Sequence, residues 1–98
     1  RGSPSEINEA LVDLLRAWKE VIIRTKEVFG LVDWSMVQER SEPILRLARK
    51  GGLPFHVVAA RVLEVMGPDA RKFLKEDAIS NIYGLMSLNQ WRRMISSK

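Results

Sequence analysis

The chain has 98 residues, 46% hydrophobic and 29% charged, enough for one packed core and too apolar for a disordered segment. It holds no cysteine, which rules out disulfides and thiolate-bound metals, and no apolar run near the roughly 18 residues that a membrane helix needs. The net charge of +4 is unevenly spread: residues 1–39 carry five Lys or Arg against seven acids, and residues 40–98 carry eleven against five. A basic second half bears on partners, either an acidic polypeptide or nucleic acid, and not on fold.

The opening RGSPS lacks the pattern of a signal peptide. It reads as a linker or an appended remnant, so the folded domain is expected over residues 6–98. In SPSEINEALVDLLRAWKEVIIRTKEVFG, the residues Ile7, Leu11, Leu14, Trp18, Val21, Thr25 and Val28 recur every three to four positions, and Ala10, Leu15 and Ile22 widen the stripe. This predicts one long amphipathic helix. Ser3 or Ser5 caps it, Glu6 and Glu9 favour its first turn, and Gly30 ends it.

Asp33 or Ser35 then caps a helix to about Arg40, with Met36, Val37 and Trp34 on its apolar side. Ser41, Glu42 and Pro43 read as a fresh start, because proline suits a first turn and not a helix interior. The following helix, PILRLARK, is expected to bury Ile44, Leu45, Leu47 and Ala48 and to stop at Gly51-Gly52. Its C-terminal end holds Arg46, Arg49 and Lys50, where the helix dipole favours cations.

Leu53-Pro54 restarts the chain into FHVVAARVLEVMG, the most apolar segment, expected as a central helix packed on several sides. Only His56, Arg61 and Glu64 are polar there. Gly67-Pro68-Asp69 supplies stop, turn and cap. DARKFLK reads as a short helix, EDAISNIYGLM as another with Ile79, Ile82, Tyr83 and Leu85 inward, and SLNQWRRMI closes the chain with Ser87 as cap. Trp18 is expected in the core, Trp34 and Trp91 half exposed at helix ends. With no hairpin signal or repeat, the expectation is an all-α fold: a compact single-domain bundle of about six short helices led by the long N-terminal one.

Hydrolytic or transfer chemistry needs a positioned base, nucleophile or metal. The chain has one histidine, no HExxH, no phosphate-cradling glycine loop and no GxSxG. His56 has no carboxylate near it in sequence, and Glu76-Asp77 point about 100° apart on a helix. A non-enzymatic protein without a cofactor is expected. Arg92-Arg93 read as solubilising charges. The cations Arg46 and Lys50 share a helix face, Arg49 lies beside them, and His56 opens the next helix; Lys19 and Lys26 join them if the first helix packs antiparallel. Such a cluster suits a flexible acidic segment, at about 0.3 to 1 kcal/mol per exposed contact.

The stretch LARKGGLPFHVVAARVLEVMGPDARKFLKEDAISNIYGLMSLNQW, 45 of the 98 residues, resembles the C-terminal domain of rhabdovirus phosphoproteins, the lyssavirus type in particular. Leu47-Ala48-Arg49, Gly51, Leu53-Pro54, the apolar helix to Met66, Phe73-Leu74 and Leu88-Asn89 carry the resemblance. It implies a helical module that attaches the viral polymerase complex to the nucleoprotein–RNA template, through a basic patch that binds an acidic nucleoprotein loop. One patch position falls at His56, and Lys19, Arg24 and Lys26 are candidates on the first helix. The family's exposed tryptophan falls at Arg61, which adds a charge to that face and points to a distant relative. The resemblance also implies contact with the large polymerase protein, a monomeric isolated domain, no membrane, and the host cytoplasm, with the nucleus as an alternative.

The protein-binding set is thus Lys19, Arg24, Lys26, Arg46, Arg49, Lys50, His56 and Arg61. Two other readings stay open. RLARKGGLPFHVVAARV could form a DNA- or RNA-binding helix-turn-helix, but its second helix offers only His56 and Arg61 to read bases, so direct nucleic-acid binding is not expected. Composition also admits a small toxin, antitoxin or effector bundle.

Overall fold

A computed structural model of the chain describes residues 3–96. Helix α1 (Pro4–Phe29) begins where the Ser3 side chain accepts a hydrogen bond from the Glu6 amide at 3.3 Å. Pro4 occupies the first turn, where its missing N–H costs nothing. Ser3 and Pro4 thus form the cap and the first turn of α1. The helix stops at Gly30, whose amide donates to the Lys26 carbonyl.

Helix α2 (Trp34–Lys50) is continuous, although two helices with a break at Ser41 were expected. Asp33 is its cap, accepting from the Met36 amide at 3.3 Å. Pro43 deprives the Glu39 carbonyl of its helical donor, but both residues are exposed, so water can take that carbonyl. The buried line Val37, Ser41, Ile44, Leu45 and Ala48 runs straight across the proline and rewards continuity. Leu47, expected inward, sits one residue off that line and is 61% exposed.

Helix α3 (Phe55–Met66) is followed by a 3₁₀ turn, Gly67–Asp69, that runs into a single α-helical turn, Ala70–Phe73. Helices α4 (Glu76–Tyr83) and α5 (Leu85–Ser96) complete the chain. Five helices of eight or more residues build the domain, one fewer than the roughly six expected, and no strand occurs among the described residues. Gly84, with φ 99°, ends α4 and redirects the chain. The expected EDAISNIYGLM helix thus breaks after Tyr83, and Leu85 leaves the inward phase to lie 69% exposed. Ser87 sits in the first turn of α5 and donates to the Tyr83 carbonyl at 3.2 Å instead of serving as the cap.

Helix α3 is the hub. It buries Phe55, Val58, Ala59, Val62, Val65 and Met66 and packs against α1, α2, the 67–73 turn and α5. Trp91, expected half exposed, is 1% exposed and meets Phe55 edge-on with ring centroids 6.3 Å apart. Trp18, expected in the core, is half-buried against it. Ser41 is the one buried polar side chain among the described residues. Its Oγ lies 2.7 Å from the Gln38 carbonyl and 2.8 Å from that of Phe73, so a single hydroxyl proton serves both and ties α2 to the 67–73 turn.

Removal of the buried indole by Trp91→Ala should cost about 3–5 kcal/mol in urea denaturation, whereas Trp34→Ala at its half-exposed site should cost much less.

Candidate functional site: the basic corner between α2 and α3

The end of α2 is shaped by two glycines with different tasks. Gly52 takes φ 85°, and its amide donates to the Arg49 carbonyl at 3.0 Å while the Leu53 amide donates to Ala48 at 3.0 Å. This pair of bonds closes the helix in a Schellman motif that requires the left-handed residue, and the buried Leu53 and Ala48 seal it. Gly51 keeps ordinary dihedrals but lacks space: a Cβ there would lie 3.0 Å from Ile7 Cγ2. The turn is pinned again from α4, where the Tyr83 hydroxyl donates to the Leu53 carbonyl at 2.9 Å. Burial pushes the Tyr83 phenol above its usual pKa, with the Arg49 charge opposing, so it remains a neutral donor at physiological pH.

On this fixed turn stand four of the eight predicted residues. The Arg49 guanidinium lies 5.7 Å from the centroid of the Tyr83 ring. Lys50 and His56 are exposed and form no ion pair among the described residues. Arg46 pairs with Glu42 one turn back at 2.8 Å, an exposed contact of about 0–1 kcal/mol that an incoming carboxylate can replace.

The other four do not join them. Gly51 packs at Ile7, so the corner faces the start of α1, and Lys19, Arg24 and Lys26 lie about 18 to 28 Å further along that helix. Lys19 donates to the Val65 carbonyl at 2.8 Å, near the far end of α3. Lys26 borders a hollow with Trp34, Asp69 and Lys72, where the Lys72 ammonium sits 5.5 Å from the Trp34 ring centroid. Arg61 is occupied internally, donating from Nε to Asn8 at 3.1 Å and pairing with Glu64 at 2.8 Å.

The surplus of positive charge survives folding. Residues 40–96 hold ten Lys or Arg and five acids. Three of those acids, Glu42, Glu64 and Glu76, sit in ion pairs, which leaves seven cations and two acids without one among the described residues. Arg92, expected only to solubilise, binds Glu76 at 2.8 and 3.3 Å and links the start of α4 to α5.

A second surface escaped the sequence reading. The expected α1 stripe mixed two neighbouring lines of residues: Leu11, Leu15 and Ile22 are buried, while Leu14 and Val21 are 40% and 48% exposed. The exposed line and α2 flank two adjoining open hollows of about 300 and 240 Å³, which share Leu14 and Ile44. The signal was present in the regular spacing of Ala10, Leu14, Ala17 and Val21 beside the buried line.

Among the described residues no cluster of His, Asp or Glu could hold a metal ion, and no helix is long and apolar enough to cross a membrane. No protein-family model, curated protein or solved structure matches the chain.

The Arg92 guanidinium holds the Glu76 carboxyl below its usual range. Because that folded-state pKa is depressed, the pair stabilises the domain above the ordinary glutamate range and is lost as pH falls through the lowered value. An NMR titration should place Glu76 below the usual midpoint of about 4.3, and Arg92→Ala should return it there.

Proposed function

We propose that this domain is a non-enzymatic protein-interaction module whose basic corner captures an acidic, flexible segment of a partner. Following the resemblance carried by Leu47 to Trp91, the partner is a viral nucleoprotein in its RNA complex. The domain then acts as the C-terminal part of a phosphoprotein that attaches the polymerase to its template.

One observation carries this reading: Arg49 and Lys50 project from a turn held by two backbone hydrogen bonds and by Tyr83, and neither pairs with a carboxylate among the described residues. Because the turn is already ordered, binding costs little scaffold entropy, and the loss falls mainly on the side chains and the acidic segment. Exposed contacts of this kind contribute about 0.3–1 kcal/mol each. Three or four of them give weak, salt-sensitive attachment, which suits a polymerase cofactor that must release and rebind as it advances.

A helix-turn-helix reading fits the surface less well. Helix α3 turns its apolar face inward and leaves His56, Ala60 and Glu64 exposed. The Glu64 carboxylate on that face repels phosphate, and Arg61 is already committed to it.

Charge reversal by Arg49→Glu with Lys50→Glu should abolish co-purification with the nucleoprotein–RNA complex of the same virus while the helical CD spectrum persists. Retained co-purification refutes the corner. Titration of the chain with short RNA and duplex DNA at two salt concentrations should show only weak binding; tight binding with a steep salt slope would favour the nucleic-acid reading.

A further inference from the structure

The groove between α1 and α2 starts beside the basic corner, at Ile7 and Leu47, but its chemistry is different. Ile7, Ala10 and Leu14 face Ile44, Leu47 and Ala48 in one hollow, and Leu14, Ala17 and Val21 face Arg40 and Ile44 in the next. Numbers rise along α1 as they fall along α2, so the two helices run antiparallel and the hollows form one trough. From Ile7 to Val21 it is about 21 Å long.

Ala10, Leu14, Ala17 and Val21 repeat at spacings of four, three and four, the period of a seam between helices. Alternate positions are alanine, which lets a third helix approach closely. An extended peptide fits poorly, because Arg40 and the Trp18 indole are the lone polar groups among the lining side chains and most of the peptide's backbone groups would lie over apolar surface without partners. A helix satisfies its own backbone and presents only side chains.

Charge selects among helices. Along the outer edge of the seam, Glu6, Asp13, Glu20 and Glu27 occur at every seventh position, all exposed, and none forms an ion pair among the described residues. This acidic row repels anionic lipid surfaces and nucleic acid. A second copy of the chain is also a poor match: no two of the four cations on its α2, Arg40, Arg46, Arg49 and Lys50, are seven residues apart, and Arg46 is already paired with Glu42. We propose that the groove is a docking site for a cationic amphipathic helix of a partner protein. Aliphatic side chains of that helix fill the floor, and its Lys or Arg residues, repeated every seven positions, pair with the acidic row.

The test uses the 15N-labelled 98-residue chain and two synthetic peptides of about five helical turns. Both carry leucines on one face; one has lysine and the other glutamate at the heptad edge position. The lysine peptide should shift the resonances of Leu14, Ala17, Val21 and Leu47 and bind about tenfold or more tightly than the glutamate peptide, the ratio that a row of exposed ion pairs supplies. Leu14→Asp should remove that binding, with Val21→Asp as a second variant should the first unfold. The Arg49→Glu, Lys50→Glu double variant should not weaken it, which separates this site from the basic corner. Equal affinity for the two peptides, or shifts confined to another surface, would overturn the proposal. So would a dimer in sedimentation equilibrium that Leu14→Asp dissociates, since that outcome assigns the face to a second copy.

Discussion

The seat of Phe55 between Tyr83 and Trp91 is the constraint from which the rest of the domain follows. Its ring is tilted against Tyr83 at 5.3 Å between centroids and meets Trp91 edge-on, so the first residue of α3 gathers the end of α4 and the middle of α5 at one point. Aromatic pairs in these geometries add roughly 0.5–1.5 kcal/mol beyond the area they bury. With that cluster in place, Tyr83 reaches the Leu53 carbonyl, and the turn leading out of α2 is fixed from outside as well as from within. The core and the candidate binding corner therefore share one anchoring element, and a change that loosens the aromatic cluster would disturb both.

Folding also sorts the charge. Over residues 3–39 acids outnumber cations by seven to four, and over residues 40–96 cations outnumber acids by ten to five. Helix α1 itself holds five acids and four cations, with Glu6, Asp13, Glu20 and Glu27 in one row, and the positive surplus lies beyond residue 39. At physiological ionic strength surface fields decay over about 8 Å, so such regions act on partners largely independently. A domain of this size can in this way offer an acidic segment and a cationic helix separate surfaces of opposite charge.

Local chemistry was legible in the sequence at several helix ends, although not at Ser41 or Ser87. Ser3, Asp33 and Gly30 bound their helices as their side chains, or the lack of one, dictate. The central position of α3 followed from its apolarity. What could not be read was set by three-dimensional packing. Pro43 stays within a helix because the Glu39 carbonyl that it leaves unpaired faces water, and Trp91 is buried because Phe55 lies opposite it. Which of two adjacent apolar lines on α1 turns inward depends on where α2 and α3 land. The same distinction separates the site residues: Arg46, Arg49, Lys50 and His56 are neighbours along the chain, whereas grouping Lys19, Arg24 and Lys26 with them required a helix register that spacing alone does not contain.

The joint between α2 and α3 has a mechanical consequence. Gly51 is wedged against Ile7, Gly52 is locked in its bonded turn, and Leu53 is held by Tyr83, so three successive residues leave the elbow no slack. A tug applied at Lys50 cannot be absorbed by bending there. It passes on to α3, whose first residue belongs to the aromatic cluster.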